Sequence, residues 1–301
     1  MASELGKHPV QHAPAPWTTK SECYWLFLNL KKLPEGVYDP LEQSCLQHGE
    51  FKGGLGFAMV VRYSDTPVGT YDELALIPGN FSVPKPSEGP PRIPKKALRV
   101  SRIYVSQRTT TYNGRLNWNI PKRLARFTFS APPTPAGSRP PETLTINVFL
   151  PGTVEGDGVA PFFACTLKPF TWIPSVPMST RWLPLSTVMA QPPLTEAAGF
   201  KLGDEAEVES AKIDPYDTSP KDEDALLCGT DRWCSFPIDA YVRRARGCWV
   251  KVHEPGKGDE GATRAAEQPD RYWPQDVRPW SIGAWMEDTE MIVPTPLEWK
   301  L

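Results

Sequence analysis

The residues with the clearest chemical prospect lie between positions 113 and 127, which read NGRLNWNIPKRLARF. Two adjacent cations, Lys122 and Arg123, stand inside an apolar, strand-like run. A lysine amine attacks a carbonyl only when neutral. With an ordinary pKa of about 10.4, roughly one free lysine in a few thousand is neutral near pH 7. Making most of it neutral takes about 5 kcal/mol of bias against the ammonium. Burial alone can supply that, and Trp118, Ile120, Leu124 and Phe127 offer the apolar surroundings. If 120–128 is a strand, Lys122 and Arg123 point to opposite faces. Desolvation is then the larger influence on the amine and Arg123, as a neighbouring cation, the smaller. The plain alternative is a lysine whose stem lies on the surface with its ammonium in water.

The stretch GRLNWNIPKRLA (114–125) resembles the acetoacetate decarboxylase superfamily, in which Gly-Arg is followed, after a short spacer, by Pro-Lys-Lys-Leu. Gly114, Arg115, Pro121, Lys122 and Leu124 match at the same spacing. Upstream, GTYDELALIPG (69–79) is similar to the family's Tyr-x-Glu segment, with Glu73 in the place of its active-site glutamate. The resemblance is carried by residues 55 to 130. It implies that Lys122 forms a Schiff base with a keto substrate and that Glu73 orients the substrate or moves protons. Acetoacetate decarboxylase is itself the standing example of a lysine activated by desolvation or by a neighbouring cation. The family tends to form homo-oligomers, and a homo-oligomer is what the resemblance implies here.

Departures from the pattern point away from acetoacetate. The second lysine is Arg123, which keeps the charge but cannot be a spare amine. Leu116 replaces a glutamate after Gly-Arg, and FAMVV (57–61) offers no second carboxylate. Apolar surface has replaced polar groups, which suits a larger, more apolar keto compound. Arg115 could clamp a substrate carboxylate or hold Glu73 or a loop in place. Tyr71 and Trp118 could meet substrate or simply pack. Glu73 alone could be a solvated residue beside a turn. Tyr112 and Asn113 read as turn residues. A literal Pro-Lys-Lys at Pro94, Lys95 and Lys96 lacks the preceding Gly-Arg and reads as a solvated turn, not an imine former.

These residues need a scaffold that can enclose them. The chain has 301 residues, 40% of them hydrophobic, enough for a sizeable core. Its 35 prolines disfavour long helices and favour short strands joined by loops. The reading is one mainly β domain, a mostly antiparallel, nearly closed barrel of cone-like form with few short helices. It spans 17–301 behind a polar tail, 1–16. LGFAMVVRYSD (55–65) and TYDELALI (70–77) form a hairpin. Alternation over 97–114 slips at Ser101–Arg102, as a bulge would cause. Segments 131–141 and 174–193 read as loops, 203–224 and 255–270 as loop insertions, and DAYVRRARGCWVKVHE (239–254) as a strand pair.

Charge is nearly balanced, 33 basic against 35 acidic residues, which gives no pull toward nucleic acid or an anionic membrane. No apolar run is long enough to span a bilayer, and no leader is read, so the chain is taken as cytoplasmic with reduced thiols. Six cysteines without a CxxC pair and four scattered histidines argue against a metal site. The expectation is a cofactor-independent carbon–carbon lyase that decarboxylates a β-keto acid larger than acetoacetate. Two alternatives stay open. One is aldol, dehydration or cyclisation chemistry from the same imine in a biosynthetic pathway. The other is a non-catalytic protein holding an apolar ligand.

Overall fold

The structure is a computed structural model that describes residues 10–46, 48–86, 88–90, 92–183, 186–202, 214–254 and 269–301. Seventeen strands dominate it. They are β1 (Trp17–Asn29), β2 (Phe51–Gly53), β3 (Leu55–Asp65), β4 (Tyr71–Ile77), β5 (Asn80–Ser82), β6 (Lys96–Leu98), β7 (Arg102–Val105), β8 (Lys122–Leu124), β9 (Arg126–Phe129), β10 (Leu144–Phe149), β11 (Phe163–Pro169), β12 (Val176–Ser179), β13 (Val188–Gln191), β14 (Trp233–Pro237), β15 (Asp239–Val252), β16 (Ile282–Val293) and β17 (Leu297–Trp299). Among the described residues the α-helices are α1 (Gln43–Leu46), α2 (Arg108–Trp118) and α3 (Pro269–Tyr272). Among the described residues, no helix is long and apolar enough to cross a membrane.

The main sheet runs β8-β7-β4-β3-β1-β16-β15-β11-β10-β9, with β12 paired to β15. Its two end strands follow one another in the chain, separated only by Ala125, so the sheet curls into a nearly closed barrel. Side-chain alternation then sorts each wall strand into two faces. Even-numbered residues such as Tyr24, Leu26, Ala58, Val60, Leu74 and Leu76 pack against Ile146, Val148, Cys165 and Leu167 from the far arm of the same sheet. Odd-numbered residues such as Phe57, Met59, Ala75 and Ile77 face the other way. They pack with Leu98, Met189 and Phe236 from a second sheet, ordered β17-β14-β13-β6-β5-β2. Pairs β7–β8 and β13–β6 are parallel and all the others antiparallel.

The barrel and its antiparallel character follow the sequence reading, and the second sheet adds to it. The slip near Ser101 is not a bulge within one strand. There the chain leaves β6 of the second sheet and enters β7 of the barrel. Residues 108–118 are helical, so Tyr112 and Asn113 lie in α2 instead of a turn. The proline-rich segment 174–193, read as loop, contributes β12 and β13, and 239–252 is one long strand instead of a pair. Part of the supposed tail is docked: Asn113 Nδ2 donates to Gln11 O at 2.8 Å and Oδ1 accepts from Ala13 N at 2.7 Å. Residues 214–224, read as part of a mobile loop, are tied to α2 through Arg108, whose backbone N–H donates to Pro215 O at 2.8 Å. Residues 1–9, 203–213 and 255–268 lie outside the described residues.

Helix α2 is anchored by a fully buried ion pair, Arg115 Nη2 to Glu42 Oε1 at 2.7 Å. Arg115 also donates from Nε to Cys228 O at 3.1 Å and from Nη2 to Thr195 O at 2.8 Å. Removing one member of such a pair strands the other charge away from water. Glu42→Ala should therefore lower stability by about 3–5 kcal/mol, read as a fall in the urea midpoint without a change in slope.

Candidate functional site

Helix α2 and strand β8 place the lysine together. Gln107 caps the helix, its side chain accepting from Thr110 N at 3.1 Å. The helix ends on Asn119 in the left-handed region, φ 52°, which asparagine tolerates better than most residues. Asn119 Nδ2 donates to Pro192 O, fixing this sharp turn. The chain then passes Pro121 into β8, where Lys122 pairs in register with Ile103. Four-residue spacing puts Thr110, Gly114 and Trp118 on one helix face. The lysine stem lies against Gly114. A Cβ there would stand 2.6 Å from Lys122 Cδ, so a side chain at 114 is incompatible with the observed stem position.

The lysine tip is 4% exposed and enclosed by polar groups from three elements. Nζ is 2.9 Å from Glu73 Oε2 and donates to Thr110 Oγ1 at 2.8 Å. Tyr71 OH lies at 3.4 Å, with the amine 4.9 Å from the centre of the Tyr71 ring. Tyr63 OH reaches Glu73 Oε1 at 3.5 Å, and the two tyrosine rings lie 4.4 Å apart. Strand alternation explains the grouping: Tyr71 and Glu73 share the odd face of β4, opposite Tyr63 and Val61 of β3. Apart from Thr19, the rest of the lining is apolar, including Trp17, Ile103, Trp118, Ile120 and Phe236, around a small space of about 50 Å³. Met59, Met189, Ile238 and Met291 line this space and also a larger apolar chamber of about 500 Å³.

The electrostatics differ from the sequence expectation. Burial does press the Lys122 pKa downward, as anticipated. The Glu73 carboxylate and Tyr71 oppose it and win, holding the ammonium above the ordinary lysine value. The amine is thus held as an ammonium at rest. Burial raises both phenols, reinforced for Tyr63 by Glu73 and countered for Tyr71 by Lys122, so both remain proton donors at neutral pH.

Of the residues singled out in the sequence, Lys122, Glu73, Tyr71 and Trp118 come together. Trp118 donates Nε1 to Pro294 O at 2.8 Å and meets Trp17 edge-on at 5.1 Å. Arg123 does not join them. It lies on the other face of β8, as alternation requires, with Nε 3.2 Å from Glu223 Oε1 and Nη1 3.9 Å from Asp39 Oδ1. Two acidic partners offset its charge, and the groups that shift Lys122 are burial, Glu73 and Tyr71. Arg115 is spent on Glu42 and two loop carbonyls, away from the lysine pocket. Thr110 and Tyr63 were missed. A helical reading of 108–118 would have exposed Thr110 through its spacing from Gly114 and Trp118. Among the described residues, no three His, Cys, Asp or Glu side chains converge as metal ligands would.

Two outcomes test this geometry. Gly114→Ala should cost about 1–3 kcal/mol by overpacking, with a crystal structure showing Nζ displaced from Glu73. The raised lysine pKa adds stability that is complete below the unfolded value of about 10.4 and lost as pH rises through the higher folded value. The stability difference between wild type and Lys122→Met should therefore turn against wild type in alkaline solution, measured by urea unfolding across that range.

No protein-family model matches the sequence, and no curated relative matches it. Solved structures do. One from structural studies of acetoacetate decarboxylase is 11% identical and superposes with a TM-score of 0.53 over 100% of this chain and 98% of that one. The enduracididine biosynthesis enzyme MppR, complexed with the condensation product of pyruvate and imidazole 4-carboxaldehyde, is 12% identical. It gives a TM-score of 0.51 over 94% of this chain and 88% of that one. The same enzyme with HEPES buffer bound, also 12% identical, gives 0.53 over 96% and 89%. These neighbours are enzymes, and the barrel described above is the acetoacetate decarboxylase-like fold.

Proposed function

We propose that this protein is a cofactor-independent enzyme that forms an imine between Lys122 and an apolar keto substrate, and that it decarboxylates a β-keto acid larger than acetoacetate. The observation that carries the reading is the position of Nζ, 2.9 Å from Glu73 Oε2 and buried in a small space that shares wall residues with a 500 Å³ apolar chamber. Glu73 takes the ammonium proton, leaving a neutral amine. The amine adds to the carbonyl, and the protonated Glu73 returns its proton to the carbinolamine hydroxyl, which departs as water. An iminium then faces the Glu73 carboxylate. Loss of carbon dioxide passes its electron pair into the iminium, giving an enamine. Protonation at carbon, with the proton drawn from water, restores the iminium, and hydrolysis releases the ketone and Lys122.

The apolar chamber bears on the substrate. No cation other than Lys122 lines the space around the amine among the described residues. A substrate carboxylate there is poorly solvated, and its departure as carbon dioxide removes that burden. Burial of an apolar stem in the chamber can offset the cost of bringing it in. The same lack of a cation favours a second reading, in which the substrate carries no carboxylate beside the carbonyl. The imine then serves aldol, dehydration or cyclisation chemistry. The MppR neighbour, which holds a condensation product, gives that reading a precedent on this fold.

The test is incubation with a panel of β-keto acids and apolar ketones, borohydride reduction, intact mass and peptide mapping, with carbon dioxide followed in parallel. The adduct is expected on Lys122, with carbon dioxide from the keto acids, and absent in Lys122→Met. Glu73→Gln should slow adduct formation by about 10²–10⁴-fold. An adduct without carbon dioxide selects the second reading. Ligand binding without any adduct leaves only an apolar-ligand-binding protein.

A further inference from the structure

The large chamber has two unlike ends. Its inner part, shared with the lysine pocket, is walled by Met59, Met189 and Met291 and continues past buried Cys23, Phe57 and Met286. Its outer part is lined by Asn80, Lys96 and Ser186, of which Lys96 and Ser186 are exposed. Among the described residues, Lys96 is the one charged side chain lining this chamber. It belongs to the Pro-Lys-Lys triplet set aside in the sequence as a solvated turn. The structure instead makes it the first residue of β6, paired with Ser82 of β5. Two residues on, Leu98 shares its side of the strand and lines the same chamber. No carboxylate pairs with Lys96 among the described residues. Among the described residues, a cation is thus held at the exposed rim of an otherwise uncharged chamber whose buried wall, at Met59, Met189 and Met291, is shared with the pocket of Lys122.

Resting on the imine reading above, we infer that the substrate is an elongated amphiphile and that Lys96 determines specificity for its far end. The reacting carbonyl meets Lys122, an apolar stem fills the chamber, and a terminal carboxylate meets Lys96. The interior is ill suited to that second anion, because among the described residues the one cation lining the inner space, Lys122, is already paired with Glu73 at 2.9 Å. At the mouth, water and Lys96 together solvate it. A chamber of about 500 Å³ lies within the range that holds ligands of drug size, far beyond the needs of a four-carbon keto acid.

The test uses β-keto dicarboxylic acids of increasing stem length and their terminal monomethyl esters as probes. Half-saturation of borohydride-trapped adduct on Lys122 is read by intact mass for wild type, Lys96→Ala and Lys96→Glu. For stems that span the chamber, wild type should half-saturate at roughly fivefold lower concentration with the diacid than with the ester, the worth of a well-placed exposed ion pair. That preference should vanish in Lys96→Ala and invert in Lys96→Glu. Adducts that form with equal half-saturation for diacid and ester, or a preference unchanged in Lys96→Ala, overturn the inference while leaving the imine reading standing. No adduct with any probe overturns both.

Discussion

The ion pair between Lys122 and Glu73 is the constraint around which this site is organised. Two opposite charges 2.9 Å apart sit among the hydroxyls of Thr110, Tyr71 and Tyr63 in a pocket whose remaining wall is largely apolar. Neither would be tolerated alone, because a lone buried charge shifts its pKa until it is neutral. Together they keep the amine charged at rest and leave a carboxylate in contact with the proton that must move before the amine can react. In the proposed mechanism, reactivity comes from proton transfer within a dry pair. A permanently neutral lysine is not required.

The remainder of the fold can be understood as support for that pair. The odd face of β4 supplies Tyr71 and Glu73 from a wall whose even face is committed to the barrel interior. Helix α2 supplies Thr110 at the lysine tip and the bare backbone of Gly114 against its stem. The helix is fixed in turn by Arg115, Glu42 and the carbonyls of Cys228 and Thr195. Arg115 thus acts at one remove, positioning the helix against which the lysine lies. The second sheet closes the outside of the barrel wall and brings Met189, Leu98 and Phe236 over the site. A barrel without it would leave the odd face, and the lysine with it, in water.

Much of this was legible in the sequence, for physical reasons. Strand β3 announces itself through its β-branched and aromatic run, and the resemblance to a Tyr-x-Glu segment singled out Tyr71 and Glu73 together. Lys122 stood out because a cation among apolar residues is costly without a partner. What stayed hidden depended on tertiary pairing. Nothing in YNGRLN distinguishes turn from helix until Arg115 finds Glu42, more than seventy positions away. Strand alternation already sends Arg123 to the face opposite Lys122, but Glu223, from a segment that read as loop, occupies the guanidinium, and that partner could not be seen along the chain. The direction of the lysine shift was hidden for the same reason. Apolar neighbours are visible along the chain, whereas a carboxylate at hydrogen-bonding distance is set only by the β4–β7–β8 register.

The most direct measurement is an NMR titration of the Lys122 side chain, with selectively labelled lysine and Lys122→Arg for assignment, in wild type and in Glu73→Gln. The wild-type amine should titrate above the ordinary lysine value, because Glu73 outweighs burial. In Glu73→Gln it should titrate below that value, because burial then acts without its main opponent. An amine that titrates as an ordinary lysine in both proteins would contradict this, since the nitrogen would then be neither dry nor held by the carboxylate.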